Sequence, residues 1–317
     1  MAYLVIFGHL LPMDNHIPRD IIYAFHMPFF FLVSGMLHKQ NGTIQWKKYL
    51  RTIGIPLLFF NLLFFILINP FFFRYVYLDE LVHVDTYWEA LLSGFPRLWD
   101  FILGTGNLPS GVTWFLVALL WCKLLMDVIC CHKKFGWGVF TILFFITIGL
   151  HIKFMLIRNG MMAFPFYYVG CRYKVEIGKM INRPYAILYA SLCLIILMGL
   201  VLLNGRVSVY SVSFGSNYLP TYLCVPLFYV TAMVGSLMML FVSSMFRSKG
   251  LVTYTATSLI TILGTQAIFC DPYRELCPPD IFLIIIPLSV LILFACLGLH
   301  WLIMRYIPFA LGKSYKK

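Results

Sequence analysis

Charge is what this chain has least of: Asp, Glu, Lys and Arg make up 11% of its 317 residues, where a soluble domain carries roughly 25%. Hydrophobic residues make up 61%. That excludes a water-soluble fold and leaves a polytopic membrane protein, whose apolar runs are long enough for helices rather than barrel strands. No basic flank precedes the first apolar run and no small-residue cleavage site follows it, so no cleavable signal peptide is expected. A phosphate-cradling glycine loop, a zinc motif and a nucleophile elbow are all missing from the sequence, and no metal is expected. The nine cysteines lack metal-ligand spacing. Most lie in apolar runs as small core hydrophobes. Cys270 and Cys277 flank one polar loop and can pair if it faces an oxidising compartment. With no repeat, no low-complexity tract and no soluble stretch, residues 1–317 read as a single integral-membrane domain.

The formal net charge of +12 raises the question of nucleic acid, and its distribution argues against it. Basic residues sit in short loops between ten apolar segments, at 2–12, 20–38, 52–73, 112–130, 137–156, 160–171, 184–204, 219–245, 250–269 and 280–304. One set of alternate loops (39–51, 131–136, 172–183, 246–249, 305–317) holds 16 Lys and Arg, and the opposite set holds 7. The richer set is expected in the cytoplasm, with both termini. The expectation is therefore an all-α bundle of about ten transmembrane helices. Segment 2–12 spans only about 16 Å, half a bilayer core, and reads as a truncated first helix.

Two histidines lie in the first two segments. His9 follows Gly8 near the outer end of the first. His26 sits in Phe25-His26-Met27-Pro28-Phe29-Phe30-Phe31-Leu32-Val33-Ser34-Gly35 of the second. The turn between them is short, so the helices are expected to be neighbours with the histidines at matched depth. Histidine at membrane depth is costly and usually functional, and it is suited to proton transfer near neutral pH. One is expected to be a general base, the other an orienter or donor. Pro28 removes a backbone donor, and Ser34-Gly35 permits close helix contact.

Lys47, Lys48 and Arg51 gather at the mouth of the third segment. They read either as topology and headgroup contacts or as a clamp for a phosphorylated cytosolic donor, with Arg51 suited to bidentate contact. Lys123 and Asp127, four apart on the fourth segment, read as an intrahelical pair. The long outward loop 74–111 mixes aromatic, acidic and amide residues. That suits either an interfacial aromatic belt or sugar stacking and hydrogen bonding.

At these residues the chain resembles the membrane acyltransferase-3 family, which O-acetylates surface polysaccharides, and within it the branch related to fucose 4-O-acetylase. The matching stretches are Phe7-Gly8-His9, Ile22 to Gly35, the basic run ending at Arg51 before Pro56, Thr113-Trp114-Phe115-Leu116 and Ile307 to Lys313. The resemblance implies a bacterial inner-membrane enzyme that takes an acetyl group from cytosolic acetyl-CoA, without a metal, and delivers it to a hydroxyl of a cell-surface or lipid-linked glycan. It implies His9 as the principal catalytic residue with His26 assisting, and Lys48 and Arg51 as donor contacts. Asn107, Trp114 and Gln266 are the expected acceptor contacts. Near Ser258 the family often carries a histidine where this chain has Thr265-Gln266; Gln266 can hydrogen-bond but cannot act as a base. A glycan transporter or flippase, an O-antigen polymerase-like glycosyltransferase and a catalytically inactive homologue are the alternatives.

Overall fold

The computed structural model describes residues 1–11, 17–39, 42–75, 86–103, 108–149, 154–181, 185–204, 221–246, 250–276 and 282–313. Among them the chain is helical, with no strand. The helices are, in order, α1 (Ala2–Leu10), α2 (Ile17–Met36), α3 (Trp46–Tyr49), α4 (Ile55–Leu63), α5 (Asn69–Tyr75), α6 (Tyr87–Ser93), α7 (Phe95–Leu103), α8 (Trp114–Cys131) and α9 (Lys133–Gly149). They continue with α10 (Ile157–Arg172), α11 (Lys174–Ile181), α12 (Ala186–Asn204), α13 (Thr221–Met245), α14 (Gly250–Thr257), α15 (Leu259–Thr265), α16 (Ala267–Leu276) and α17 (Phe282–Tyr306). Two π-helical turns, Leu50–Gly54 and Phe64–Ile68, join α3, α4 and α5.

The described residues of the ten expected segments are very largely helical. Among the described residues, five stretches are long and apolar enough to cross a bilayer: Trp46–Phe72, Gly111–Cys131, Ala186–Leu203, Leu223–Met245 and Leu283–Tyr306. The pair Gly250–Thr257 and Leu259–Arg274, bent by 60°, makes up to six. The chain is a polytopic helical membrane protein. The other expected segments are shorter or more polar helices: α1 has 9 residues, α9 has 17 and α10 has 16, while α2 carries Arg19, Asp20 and His26.

Helix α2 is the centre of the bundle. Every residue from Ile22 to Leu32 is buried, as a helix that is apolar all round must be. It packs against α10 and α13, and its phenylalanines interlock with α8, the Phe31 and Phe115 rings lying 5.0 Å apart. The expected close contact at Ser34-Gly35 is present, and its partner is α10. A Cβ on Gly35 would collide with the Tyr167 carbonyl, and one on Gly170 with the Leu32 carbonyl. Lipid tails are as apolar as leucine, so such close backbone approach is a main source of helix association in a bilayer. Helix α12, by contrast, leaves Ile187, Leu188, Ile195 and Leu202 exposed, the surface a bilayer would cover.

A second apolar cluster joins α1 to α15, α16 and α17 and extends to Ile22 and Tyr23 of α2. Helix α1 is therefore held between the centre of the bundle and its C-terminal third. Helix α6 begins at a capping box: the Glu89 N–H donates to Thr86 Oγ1 and the Thr86 N–H to Glu89 Oε2. The Tyr87 hydroxyl donates to the Ile66 carbonyl and ties α6 back to the second π-turn. Trp88 and Trp99 stay exposed.

Candidate active site

The Gly8-His9 dipeptide is explained by the α1–α2 contact. A Cβ at Gly8 would lie 3.2 Å from Ile22 Cγ2 and 3.3 Å from the Tyr23 ring, so only glycine lets α2 come this near without displacement. The approach sets the Tyr23 hydroxyl 3.2 Å from His9 Nδ1. One turn further along α2, His26 lies edge-on to the same tyrosine, ring centroids 4.8 Å apart. The two histidines are thus gathered around Tyr23. Sequence reading missed this residue; the signal was its i, i+3 spacing from His26 on a helix.

Hydrogen-bond chemistry fixes the state of one histidine. His26 Nδ1 lies 3.0 Å from the Ile22 carbonyl. A carbonyl only accepts, so Nδ1 carries the proton, and in the neutral ring Nε2 is a bare lone pair. His9 is less constrained: its Nδ1 either accepts from the Tyr23 hydroxyl or donates to it. The Arg19 guanidinium lies 5.0 Å from the Tyr23 ring centroid, within cation–π range. Arg19, Arg274 of α16 and His26 all lie within electrostatic reach of His9. Pro28 sits inside α2 and denies the Ala24 carbonyl its usual backbone donor.

Gln266, at the α15–α16 junction, is 1% exposed. Its Oε1 accepts no hydrogen bond among the described residues. The backbone stays α-helical through it, with Gln266 N–H donating to the Ile262 carbonyl and Cys270 N–H to the Gln266 carbonyl. Residues 262, 266 and 270 therefore share one face. Ile262 and Cys270 pack into the cluster containing α1, Ile22, Tyr23 and part of α17, so Gln266 shares the helix face that packs on that cluster. A further buried histidine, His300 of α17, meets Thr261 Oγ1 at 2.7 Å; the sequence reading did not single it out.

Trp114 opens α8, half-buried, behind a polar knot. Asn61 Nδ2 donates to the Leu57 carbonyl at 2.8 Å and to Thr113 Oγ1 at 3.0 Å. Asn61 Oδ1 accepts from the Ser110 N–H at 3.1 Å, and Asn69 Nδ2 donates to the Pro109 carbonyl at 3.3 Å. Helix α15 packs on the 3₁₀ turn Gly111–Thr113 and seats Gly264 against Phe60. Trp114 and Gln266 therefore lie on adjoining elements. Asn107 and Cys277 lie outside the described residues; Cys270 is buried.

Lys48 and Arg51 are exposed at the other end of α2, where most Lys and Arg gather. Between His26 and the end of α2 at Met36 lie ten residues, about 15 Å of helix, so the basic residues are not brought to the histidines. Lys48 Nζ donates to Gln45 Oε1 at 3.1 Å. Arg51 Nε donates to the Gly312 carbonyl at 3.0 Å. One edge of its guanidinium is thus committed to the C-terminal turn and the Nη groups are left for a ligand. Gly312 has φ +68, and a Cβ there would strike the Arg51 carbonyl; glycine is required on both counts.

Lys123 and Asp127 do not simply face each other. The Asp127 carboxylate accepts from the Gln45 N–H and the Tyr49 hydroxyl, each at 2.9 Å, and faces His38 Nε2 at 3.3 Å. Lys123 Nζ lies over the Tyr49 and Tyr167 rings at 5.5 and 6.0 Å.

No curated protein and no solved structure matches the chain. The family model described as an acyltransferase domain, of the acyltransferase-3 type, matches residues 2–305, a span that takes in the histidine pair, the basic run and every bilayer-length helix except the last residue of α17. The chain therefore belongs to the acyltransferase-3 family, and is a membrane acyltransferase.

Proposed function

We propose that the protein moves an acetyl group from cytosolic acetyl-CoA to a hydroxyl of a cell-surface or lipid-linked glycan, in the manner of the fucose 4-O-acetylase branch. It does so from a bacterial inner membrane, with the basic end and both termini in the cytoplasm. The observation that carries the reading is the bare Nε2 of His26 beside Tyr23 and His9, at the opposite half of α2 from the basic residues. A base for a hydroxyl and cations for a phosphorylated donor are separated by a length that the flexible pantetheine arm of coenzyme A is built to cross.

In this reading the acceptor hydroxyl enters beside the histidines. Gln266 Oε1 accepts a hydrogen bond from a sugar hydroxyl, and Trp114 and Asn107 flank the sugar. A histidine Nε2 takes the proton of the reacting hydroxyl. The hydroxyl oxygen forms a bond to the thioester carbonyl carbon, and the resulting oxyanion is stabilised by the cationic surroundings of Arg19 and Arg274. Collapse breaks the carbon–sulfur bond, and the departing thiolate recovers the proton from the imidazolium. His26 is the better base of the two because its tautomer is already set; His9, held through Tyr23, orients and supports it. Lys48 and Arg51 hold the donor phosphates.

The test is glycan O-acetylation in a deletion strain complemented with wild type, His9→Ala or His26→Ala, read as base-labile acetyl signals by NMR with membrane levels matched. The reading expects wild type to restore acetyl and either variant to lower it about 10² to 10⁴-fold. Restoration by both variants would turn the reading towards transport.

A further inference from the structure

The buried end of α8 carries a carboxylate that acyl transfer at the histidines does not use. Asp127 is 3% exposed in a helix of bilayer length. A carboxylate there is costly unless its oxygens are satisfied. Two of its donors bracket a single turn. The Gln45 N–H and the Tyr49 hydroxyl both bond Oδ2, and between them lie Trp46, Lys47 and Lys48. The turn is fastened again from within, where Lys48 Nζ donates to Gln45 Oε1. One turn further along the same α8 face, Cys131 Sγ lies 3.2 Å from the Gly42 carbonyl, so residues 42–49 are laid across the end of α8.

His38 completes the arrangement without being a base. Its Nε2 faces Asp127 Oδ1 at 3.3 Å and its Nδ1 meets the Tyr167 hydroxyl at 2.7 Å. Both ring nitrogens are therefore turned to protein groups. Around this one carboxylate stand Lys48, Lys123 and Lys174, all within electrostatic reach of His38. These lysines put more positive than negative charge around His38 and Asp127 among the described residues.

We propose that Asp127, with His38 and Tyr49, is the positioning residue of the donor site: it holds the turn Gln45–Tyr49 so that Lys47 and Lys48 present their charges to the phosphate groups of a phosphorylated acyl donor. The proposal rests on the acyl-transfer reading above. Asp127 does not touch the donor; it acts through the turn it holds.

The experiment uses the full chain in lipid nanodiscs, with coenzyme A as probe. Binding is measured by calorimetry, and order of residues 42–51 by backbone hydrogen exchange without ligand. The variants are Asp127→Asn, Tyr49→Phe, the pair Lys47→Ala/Lys48→Ala, and that pair combined with Asp127→Asn. Tyr49→Phe removes one of the two grips and keeps the carboxylate, so it reports even where Asp127→Asn folds poorly. The expected result is faster exchange across 42–51 in both anchor variants and about tenfold weaker binding, the worth of one or two charge-assisted hydrogen bonds. Asp127→Asn should add little to the lysine pair, because a residue that acts through the lysines has nothing left to position. Unchanged exchange, faster exchange with unchanged affinity, or an equal loss in the lysine-free background would each overturn the proposal. Wild type that binds no coenzyme A would reject the acyl-CoA reading itself, and the donor role of Asp127 with it; a loosened turn in Asp127→Asn would then show that the anchor is real but serves no such donor.

Discussion

The Tyr23 hydroxyl lies 3.2 Å from His9 Nδ1, and the same ring stands edge-on to His26. Tyr23 thereby holds two histidines from different helices in one cluster. We predict that Tyr23→Phe keeps the fold and the ring contacts but lowers acetyl transfer about tenfold, the value of one hydrogen bond that orients a catalytic ring. Initial rates in membranes with matched protein levels check this; an unchanged rate would remove Tyr23 from the site.

His26 offers a sharper chemical distinction. In His26→Gln the side-chain amide can still donate to the Ile22 carbonyl but has no lone-pair nitrogen to accept a proton. The expected outcome is loss of transfer by about 10² to 10⁴-fold with thermal stability within about 1 kcal/mol of wild type. A variant that keeps its rate would show that the base is His9.

The α2–α10 crossing predicts a stability effect remote from the chemistry. Gly35→Ala places a methyl group against the Tyr167 carbonyl, and overpacking of this kind costs about 1–3 kcal/mol. The same loss is expected for Gly170→Ala against the Leu32 carbonyl. Unfolding in detergent, followed by denaturant titration, reads both. Gly138→Ala, which meets no atom within 4 Å, is the control expected to change little.

The Asn61 knot predicts a loss of a different kind. Asn61→Leu leaves the buried Ser110 N–H without its acceptor, at about 1–3 kcal/mol for a buried group left unsatisfied, while the Thr113 hydroxyl keeps its bond to the Ser110 carbonyl. Because the knot precedes Trp114, acceptor KM should rise while donor KM stays level. A change in both, or in neither, would separate the knot from the acceptor side.

Much of the architecture was legible because hydropathy marks helices well, although the expected segment 250–269 is broken over α14, α15 and α16 and only five to six stretches among the described residues reach bilayer length. The Gly35 contact was also legible, since small residues in a membrane helix imply a near neighbour. The neighbourhood of His9 and His26 followed from the short turn between their segments. What the sequence hid were relationships between distant residues. Tyr23 is one of 19 tyrosines, and nothing local shows that Gly8 draws it to His9. The partners of Asp127 come from 78 and 82 residues away, so its nearest charged neighbour in sequence, Lys123, was the only pairing that could be read. The commitment of Arg51 to a carbonyl 261 residues later is likewise beyond any local pattern.

That last contact sets an order of events. Arg51 is inserted early, yet its partner at Gly312 exists only after α17 has left the ribosome. The Arg51 side chain must therefore wait for α17 before its Nε can be tied to the Gly312 carbonyl. A chain made only as far as α2 already carries both members of the histidine pair, whereas the anchor of Arg51 is one of the latest contacts to form, because it needs the turn that follows α17.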